Sequence, residues 1–401
     1  MSAPSQSSYD VVIIGGAMMG SSAAWFLTEN PDFDGSVLVV EMDSSYANCS
    51  TAHTNSCMRQ QFSNELNVRI SQFAADFVKN LRSNMGGDTR VPELDIQNYG
   101  YMYLADNEGF ANTLRENQAV QLAAGAETQL LTADEIKARY PFYNVDDVLL
   151  GSINLKDEGY WDGGTVFDWW RRSAKDRGVE YVTNRVVAMD VTDSKVTSVT
   201  LESGDVIACR QVVNASGPRG ALTAKMAGIE LPVEPRKRFT WIFSAEYPLD
   251  QELPLTIDPS GVHFRQDGPT TYLAGAPPEL EDDIAVDPND FAMDHGRWQN
   301  HVWPIIATRI PQFDALKVVS EWAGHYAYNT LDQNAVLGPH PEIENFIFLN
   351  GFSGHGLQQS PAMGRAVAEW ITYGEYRALD MSPFGFERIA KGQAFEEKAI
   401  I

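Results

Sequence analysis

The chain has 401 residues, of which 44% are hydrophobic, so it is long and apolar enough to form two domains or lobes around a sizeable core. Acidic residues outnumber basic ones by 54 to 30, and the resulting net charge of -24 argues against nucleic acid and anionic membrane surfaces as partners. The simplest interpretation of this excess is a solvated acidic surface.

Cysteine use and the N-terminus bear on the cellular compartment. The 3 cysteines are odd in number and show no C-x-x-C spacing, which argues against a disulfide framework and favours a reducing cytoplasm. Residues 1–8 are polar and lack the basic and apolar regions of a signal peptide. No uninterrupted apolar run approaches the ~18 residues that span a bilayer. We therefore predict a cytoplasmic protein with no transmembrane segment, and we predict no metal site.

The first predicted elements form a β-α-β unit. Residues 9–14 are a short apolar strand, a glycine-rich turn follows at 15–20, and a helix continues through 21–27. A second apolar strand at 36–41 ends in Glu41. Because such crossovers are right-handed, the two strands are predicted to be parallel neighbours.

Helices and strands continue along the rest of the chain. Apolar residues recur with a helical period at 64–81, and residues 132–135 form a capping-box start for a helix that ends before Pro141. The remaining predictions are strands at 94–104, 179–182, 185–191, 195–201, 206–214 and 345–349, helices at 165–177 and 361–373, and an antiparallel sheet within 232–311.

Elements typical of nucleotide binding lie at both ends of the chain and in its middle, which predicts a discontinuous cofactor domain. We assign residues 1–90, 150–232 and 320–401 to a Rossmann-like α/β domain that binds the cofactor. Residues 91–149 and 233–319 are assigned to a second, α+β substrate domain with a mostly antiparallel sheet.

The glycine-rich turn is the first functional signal. A strand, a turn and a helix place backbone N–H groups and the positive end of the helix dipole where a pyrophosphate binds. Glu41 lies where an acid accepts hydrogen bonds from ribose hydroxyls. The middle glycine of the usual G-x-G-x-x-G pattern is Ala17 here, and its methyl group is the smallest possible obstacle. The alternative interpretation of the turn is close helix–strand packing alone.

Three further segments make this signal far more specific. Residues 48–63 (NCSTAHTNSCMRQQFS), 212–217 (VVNASG) and 350–359 (NGFSGHGLQQ) together resemble the D-amino-acid oxidase and sarcosine oxidase family. Residues 321–334 and 351–369 look closest to its FAD-dependent oxidoreductase-domain branch. The resemblance spans nearly the whole chain, from Asp10 to Phe384.

The resemblance implies the two-domain fold of that family, with FAD as the cofactor. The adenine end would lie on the Gly15 turn and the flavin ring beneath the loops of Arg59 and Gly354. Glycines within 351–356 would bring backbone N–H groups close to the ring, although a plain strand-to-helix turn is the alternative. The cofactor-binding residues that we predict are Gly15, Gly16, Ala17, Met18, Met19, Gly20, Glu41, Met42, Ser50, Thr51, His53, Arg59, Gln60, Gln61, Val187, Ala215, Ser216, Gly217, Gly351, Gly354, His355, Gly356, Leu357 and Gln358.

The substrate side is expected to depend on positioning, because the electron chemistry belongs to the cofactor. Arg59 aligns with the carboxylate-binding arginine of sarcosine oxidases, and a guanidinium fits a carboxylate bidentately. The alternative is a surface or flavin-supporting arginine. Gln358 replaces a lysine that helps to hold the carboxylate in those enzymes, so either another cation takes over or the substrate differs. Arg265 is the leading replacement and Arg238 the next, although strand arginines often pair with acids.

Three more side chains are predicted near the substrate. His355 is expected beside the flavin ring, where it polarises the ring, orients the substrate or serves as a structural imidazole. Strand alternation would point His263 to the same face as Arg265. Tyr272 is the aromatic residue that we place near the substrate. The catalytic candidates are Arg59, Tyr272, His355, Arg265 and Gln358.

The mode of FAD attachment is a separate question. His53 falls where dimethylglycine-dehydrogenase relatives carry a histidine that is covalently bound to the flavin. His325 stands where sarcosine oxidases have their attachment cysteine, so both linkage sites cannot apply literally. We expect non-covalent, dissociable FAD.

The function that the resemblance implies is oxidation of a C–N bond in a small secondary amine or N-substituted amino acid that bears a carboxylate. Sarcosine, N-alkyl glycines and N-carboxymethyl glycine are of this type, and the imine product would hydrolyse to an amine and a carbonyl compound. One alternative is a flavin-bearing assembly or binding factor for a respiratory complex. A nicotinamide-linked reductase is a weaker alternative, because it leaves the C-terminal glycine motif unexplained.

Oxygen, a quinone or an electron-transfer flavoprotein could accept the electrons. Sarcosine oxidases use a lysine near the flavin to speed the reaction with oxygen, because a fixed cation stabilises the developing charge. The matching position falls at Tyr272 or Leu273, and no lysine occurs between Arg238 and Leu316. We therefore expect a sluggish reaction with oxygen and a better one with a quinone or an electron-transfer flavoprotein.

Overall fold

Residues 1–398, which the computed structural model describes, form two large β-sheets with helices packed around them. The strands are β1 (Ser8–Ile14), β2 (Val37–Glu41), β3 (Cys57–Met58), β4 (Tyr101–Ala105), β5 (Gln129–Leu131), β6 (Leu150–Asn154), β7 (Gly159–Tyr160), β8 (Glu180–Thr183), β9 (Val186–Thr192), β10 (Lys195–Leu201), β11 (Val206–Asn214), β12 (Val233–Ala245), β13 (Leu255–Ile257), β14 (His263–Gln266), β15 (Thr271–Ala276), β16 (Leu316–Asn329), β17 (Val336–Pro339) and β18 (Phe346–Asn350). The helices are α1 (Met18–Glu29), α2 (Glu65–Lys79), α3 (Leu81–Asn84), α4 (Glu108–Ala123), α5 (Ala133–Arg139), α6 (Gly163–Asp176), α7 (Gly220–Lys225), α8 (His295–Arg297), α9 (Trp303–Arg309), α10 (Gly356–Tyr373) and α11 (Glu387–Lys391).

The first sheet has the order β17-β18-β11-β1-β2-β8, and the β9–β10 hairpin extends from β11. β1 pairs in parallel with β2 and β11, and β18 pairs in parallel with β11. One face packs against α1, α2, α6 and α10, and the other packs against the hairpin and α7. Burial on both faces explains why β1 and β2 are almost continuously apolar. The Rossmann-like prediction is confirmed, and its ligand edge is the carboxyl end of these strands.

The second sheet has the order β16-β12-β15-β14-β13-β4-β6-β5 and is antiparallel except where β13 meets β4. Its aromatic core includes Trp241, Phe243 and Phe313. This sheet confirms the second, mostly antiparallel unit. The domain boundaries stay a proposal, since β6 and most of β16 belong to the second sheet but lie beyond the boundaries at 150 and 320.

Two local predictions differ from the structure. The strand expected at 94–104 begins only at Tyr101, because Gly100 has a φ of +96° and its N–H donates to the carbonyl of Glu158 instead of continuing a ladder. Helix α10 begins at Gly356, before the expected Pro361. Pro361 has no N–H for the carbonyl of Leu357, and the hydroxyl of Ser360 donates to that carbonyl at 2.7 Å instead.

The capping box predicted for α5 is confirmed. The Thr132 hydroxyl accepts from the backbone N–H of Glu135, and the Glu135 carboxylate accepts from the backbone N–H of Thr132. Within residues 1–398, no helix combines the length and apolar composition needed to cross a membrane.

Candidate active site

A cavity of about 610 Å³ opens at the carboxyl end of β1, β2 and β11 and is lined by residues of both sheets. The first sheet contributes the turn after β1 and the residues that follow β2 and β11. The second sheet contributes its inner face through β12, β13, β14 and β16. The cavity therefore lies at the place where open α/β sheets bind their ligands.

The N-terminus of α1 faces one end of the cavity. Gly15 has a φ of +98°, and a side chain there would meet the carbonyl oxygen of Ala215 at 2.5 Å, so the turn after β1 requires glycine. Ala17, the N-cap residue of α1, makes no side-chain cap, and Thr51 accepts from the N–H of Met18 at 3.3 Å, which leaves the next N–H groups of the first turn without a side-chain acceptor in the described chain. Uncapped N–H groups and the helix dipole make this end a site for an anion.

Glu41 lies beside this turn. Its carboxylate accepts from the backbone N–H of Gly16 at 2.8 Å and of Asp43 at 2.9 Å. Burial raises the pKa of Glu41, while these N–H groups act in the opposite direction. Met42 and Val187 also line this end, and they are 45% and 41% exposed. An acid flanked by exposed apolar side chains suits a ribose and an attached base.

The N-terminus of α10 also opens on the cavity, next to the start of α1, where a Cβ on Gly356 would lie 3.2 Å from the Met19 side chain. No side chain within residues 1–398 caps α10. Gly354, in the loop before it, has a φ of +93°, and a side chain there would meet the ring of Tyr326 at 2.6 Å. Gly364 lets α10 approach α1 closely, since its Cβ would lie 2.0 Å from the Ser22 hydroxyl. This packing brings two helix N-termini to one cavity.

Arg59 lies at the α10 end and is 2% exposed. Its guanidinium donates to Nε2 of His355 at 2.8 Å, and its backbone N–H donates to the side-chain oxygen of Gln358 at 2.9 Å. The guanidinium also lies 4.1 Å from the ring centre of Phe62. Three of the predicted catalytic residues, Arg59, His355 and Gln358, are therefore in direct contact.

His355 is neutral in this arrangement. A guanidinium can only donate hydrogen bonds, so Nε2 of His355 is the acceptor and carries no proton. Burial, followed by the charge of Arg59, holds the pKa of His355 well below its usual range. The site thus combines one buried cation with an imidazole that stays uncharged at neutral pH.

The match to known proteins identifies the family. The model described as "DAO: FAD dependent oxidoreductase" matches residues 10–370. The chain belongs to this family. FAD-dependent oxidoreductase domain-containing protein 1 of Xenopus laevis is 37% identical over 426 residues, covering 98% of this chain and 85% of that protein. Mitochondrial sarcosine dehydrogenase of Mus musculus is 26% identical and is matched over 93% of this chain and 40% of its own length.

Solved structures agree with this assignment. L-proline dehydrogenase from P. horikoshii superposes with a TM-score of 0.81 at 25% identity, and the match covers 96% of this chain and 98% of that one. The chain is therefore an FAD-dependent oxidoreductase related to amino acid and amine oxidases.

The residues of the cavity fit FAD. The start of α1 suits the pyrophosphate, and Glu41, Met42 and Val187 suit the ribose and adenine. The α10 end, with its uncapped N–H groups and the loop of Gly354, suits the flavin ring. The predicted residues that line the cavity are Gly15, Ala17, Met18, Met19, Glu41, Met42, Ser50, Thr51, His53, Arg59, Val187, Ala215, Ser216, Gly217, Gly354, His355, Gly356, Leu357 and Gln358.

Five of the predicted cofactor-binding residues do not line the cavity: Gly16, Gly20, Gln60, Gln61 and Gly351. A Cβ on Gly20 would lie 1.8 Å from the carbonyl oxygen of Gly15, so this glycine serves the packing of α1 against the turn. The backbone N–H of Gln60 and the side chain of Gln61 instead donate to Glu158, a buried residue that the sequence patterns did not reveal.

Glu158 holds the segment that follows Arg59. Its carboxylate accepts from the backbone N–H of Gln60 at 2.6 Å and from the side-chain amides of Gln61 at 2.9 Å and Asn154 at 3.0 Å. Complete burial raises the pKa of Glu158 to about 8, although these donors act to lower it. The sequence patterns that predict strands did not indicate a functional role for Glu158, because it lies in the connection between β6 and β7.

The placement of Tyr272 near the substrate is wrong. In β15 it pairs with Phe243, and its side chain lies on the face of the sheet that packs away from the cavity. Its ring centre lies 4.5 Å from that of Phe313, and its hydroxyl accepts from the backbone N–H of Leu249 at 2.9 Å. Side chains alternate along a strand, so the neighbour Leu273 lies on the same face of the sheet as Arg265, with which it pairs, although neither of the two lines the cavity.

Arg265 also does not line the cavity. It lies on the expected face, but the loop at Asn55 covers it. Its guanidinium donates to the carboxylate of Asp267 at 3.0 Å and to the carbonyl of Asn55 at 3.0 Å, and it lies 4.9 Å from the ring centre of Tyr160. The structure therefore shows Arg265 paired with an acid, the alternative that the sequence left open.

His263 does line the cavity, next to Asn55 and Thr240. Its Nε2 lies 2.9 Å from the Asn55 side-chain nitrogen, and its ring lies across Gly275, where a Cβ would come within 2.2 Å of it. Burial lowers the pKa of His263 to about 4, and the charges of Arg238 and Arg265 add to this. The imidazole is therefore neutral at physiological pH.

The two candidate attachment histidines flank one aromatic ring. The ring centre of Phe291 lies 5.5 Å from that of His53 and 4.5 Å from that of His325, and all three residues line the cavity. Nδ1 of His53 lies 2.9 Å from the carbonyl oxygen of Cys49. Phe291 was missed because it lies in an irregular loop with no sequence pattern.

Other lining residues that the sequence analysis missed are Tyr46, Tyr101, Arg219 and Tyr326. Tyr326 could have been found, because Trp322, Gly324, Tyr326 and Tyr328 alternate along β16 and share one face. Arg238, named only as the second replacement cation, lies in the wall of the cavity where Arg265 does not.

Proposed function

We propose that this protein oxidises the C–N bond of a small secondary amine or N-substituted amino acid that carries a carboxylate. The observation that carries the proposal is Arg59, a buried cation in contact with Gln358 and the neutral His355 at the flavin end of the cavity. A buried guanidinium at this place fits a substrate carboxylate.

FAD, when bound, supplies the acceptor for the two electrons that leave the substrate. Arg59 binds the carboxylate and so fixes the orientation of the α-carbon and the nitrogen. His355 keeps its Nε2 directed at Arg59 and does not add a second positive charge. The substrate must present an unprotonated nitrogen, and the C–N bond becomes an imine that water hydrolyses to an amine and a carbonyl compound.

The test is anaerobic mixing of the purified yellow protein with a panel of amines while the flavin absorbance is recorded. Bleaching by N-alkyl glycines, and none by the corresponding amines without a carboxylate, is the expected result. A protein that holds FAD but is bleached by no amine of the panel would instead support the alternative, a flavin-bearing assembly or binding factor for a respiratory complex.

A quinone or an electron-transfer flavoprotein is the acceptor that we propose in preference to oxygen. The side chain at the relevant point of the second sheet is Leu273, His263 is neutral, and Arg265 is paired with Asp267. None of these three residues supplies the unpaired positive charge that would stabilise electron transfer to oxygen.

Stopped-flow reoxidation of the substrate-reduced protein should therefore be slower in air-saturated buffer than with a quinone analogue under nitrogen. Leu273→Lys should speed the reaction with oxygen, whereas Leu280→Lys, at an exposed loop residue, should not. Reoxidation by oxygen that matches turnover in the unmodified protein would contradict the proposal.

A further inference from the structure

A second arginine lies in the wall of the cavity. Arg238 belongs to β12, and its side chain is 11% exposed. Its two terminal nitrogens donate to the carboxylate of Asp283 at 2.9 Å and to a second oxygen of the same group at 3.2 Å. Its Nε has no hydrogen-bond partner among residues 1–398, although it is buried. The Nε atoms of Arg236 and Arg265 are unpartnered in the same way, but of these three arginines Arg238 lines the cavity, where a ligand can supply the missing acceptor.

Tyr326 links Arg238 to the loop that also carries His355, the partner of Arg59. The guanidinium of Arg238 lies 4.7 Å from the ring centre of Tyr326, and that ring packs against Gly354 in the loop before α10. Burial raises the pKa of Tyr326, and the charges of both Arg238 and Arg59 act against this rise. Two cations therefore lie near one tyrosine at the flavin end of the cavity.

Charge is distributed unevenly along the cavity wall. Its lining acids within residues 1–398 are Glu41, which ends β2, and Asp43, which follows β2, and both lie at the nucleotide end. Asp283 pairs with Arg238 but does not itself line the cavity. Among residues 1–398, the flavin end thus presents two lining arginines and no lining carboxylate.

We propose that the substrate is a dicarboxylic secondary amine, an N-(carboxyalkyl) amino acid, whose first carboxylate binds Arg59 and whose second binds Arg238. This inference rests on the proposed function and narrows its substrate class. The Nε of Arg238 offers the second carboxylate a donor without loss of the Asp283 pair. An amine with a single carboxylate would leave that donor unsatisfied.

Arg236 provides a matched control two residues away. It approaches the same Asp283 at 3.9 Å, pairs with Glu234 and lies 4.2 Å from the ring centre of Tyr328. It does not line the cavity. Replacing Arg236 therefore disturbs the same ion-pair cluster without removing a cation from the proposed site.

The experiment compares iminodiacetate and N-(2-carboxyethyl)glycine with sarcosine and N-ethylglycine on the FAD-bound protein. The rate of anaerobic flavin bleaching gives one readout. The second readout needs no turnover: it is the Kd of thiodiglycolate against that of (methylthio)acetate, two analogues without an oxidisable nitrogen, from the perturbation of the flavin spectrum. We expect at least a 10-fold preference for the dicarboxylate in both readouts.

Arg238→Gln should reduce that preference to a ratio near 1, and Arg236→Gln should retain it. The inference is overturned if Arg238→Gln keeps the preference for the dicarboxylate. It is also overturned if the wild type prefers the monocarboxylate. Asp283→Asn provides a second test in case Arg238→Gln misfolds, because it keeps Arg238 and removes the internal negative charge that repels a second carboxylate. We expect an increased dicarboxylate preference there, and a reduced one contradicts the proposal.

The two proposals fail in different ways. If no amine bleaches the flavin but thiodiglycolate binds in an Arg238-dependent manner, the proposed oxidation is wrong and the dicarboxylate site stands. If mono- and dicarboxylic amines bleach the flavin equally well with or without Arg238, the oxidation stands and the dicarboxylate inference is wrong.

Discussion

Arg59 is held by contacts on several sides, which suits a residue that fixes a substrate. Its backbone is bonded to Gln358, its guanidinium to His355, and its face lies on Phe62. The segment after it is anchored through Gln60 and Gln61 on Glu158. A side chain held in this way loses little further entropy when a ligand binds.

Arg59→Gln should lower kcat/KM by a large factor, equivalent to about 2 to 4 kcal/mol of lost transition-state binding. The physical reason is the loss of a desolvated charge pair with the substrate carboxylate. Steady-state kinetics of the variant check this, with FAD content measured alongside. Arg69→Gln on the exposed side of α2 is the control, since Arg69 pairs only with Glu65 at the surface within the described chain. Unchanged kcat/KM in Arg59→Gln would refute the role.

Glu158 should make stability depend on pH. Its pKa is about 8 in the folded protein and returns toward its ordinary value of 4.5 on unfolding. Between these values the folded state binds a proton that the unfolded state has lost, so the stabilisation is complete below the unfolded value and is lost as pH rises through the folded one.

The unfolding temperature should therefore fall between pH 5.5 and pH 8.5 by more in the wild type than in Glu158→Gln, whose amide does not titrate. Differential scanning calorimetry at both pH values provides the measurement. Glu127→Gln, at a surface residue that pairs with Lys156, is the control. Equal pH dependence in wild type and Glu158→Gln would show that the buried carboxyl is not the source.

At the scale of elements, the contact between α1 and α10 sets the geometry of the cofactor site. The two helices start side by side at the cavity, where Met19 lies against Gly356, and their separation is fixed by Gly364 against Ser22. The local sequence patterns of α1 and α10 predict neither this contact nor the separation of the two helices, because each pattern indicates only an apolar helix.

Gly364→Ala should weaken FAD binding and lower stability by about 1 to 3 kcal/mol, the usual range for overpacking. Its new Cβ would lie 2.0 Å from the Ser22 hydroxyl and 2.7 Å from the backbone of the same residue, so the helices must separate. Urea unfolding and FAD titration measure the two effects. Gly109→Ala in α4 is the control, since its Cβ would meet only the Asn107 side chain, at 3.2 Å. FAD affinity equal to that of the wild type would contradict this account.

At the scale of the whole molecule, the cavity joins the two sheets, because its wall includes residues of β1, β2, β12 and β16 or the loops that follow them. A ligand that fills it binds only the folded state and stabilises both sheets together by mass action. Removal of FAD should therefore lower the unfolding temperature of the protein as a whole.

We expect FAD to leave the protein on acid precipitation, with the yellow colour in the supernatant, and to restore the unfolding temperature when added back. Colour that stays with the precipitate and is released by His53→Ala would show a covalent bond at His53. His325→Ala serves as the comparison, because His325 contacts the same Phe291 ring.

The sequence by itself determined the parts of this protein that depend on local pattern. The β-α-β unit, the glycine turn, the acid at the end of β2 and the capping box of α5 follow from spacing and residue type over a few positions. The family motifs added FAD and brought Arg59, His355 and Gln358 into one candidate site, and the structure places these three in contact.

Only the tertiary structure decided which side chains face the cavity. Tyr272 and Leu273 differ by one position, and the pairing register of β15 put the leucine, and not the tyrosine, on the sheet face that carries His263 and Arg265. Arg265 has the right orientation, but a loop that is distant in sequence covers it, whereas Arg238 remains in the wall. Glu158 gained its raised pKa from burial by elements far along the chain. Register and burial depend on contacts between distant segments, so local sequence patterns do not encode them.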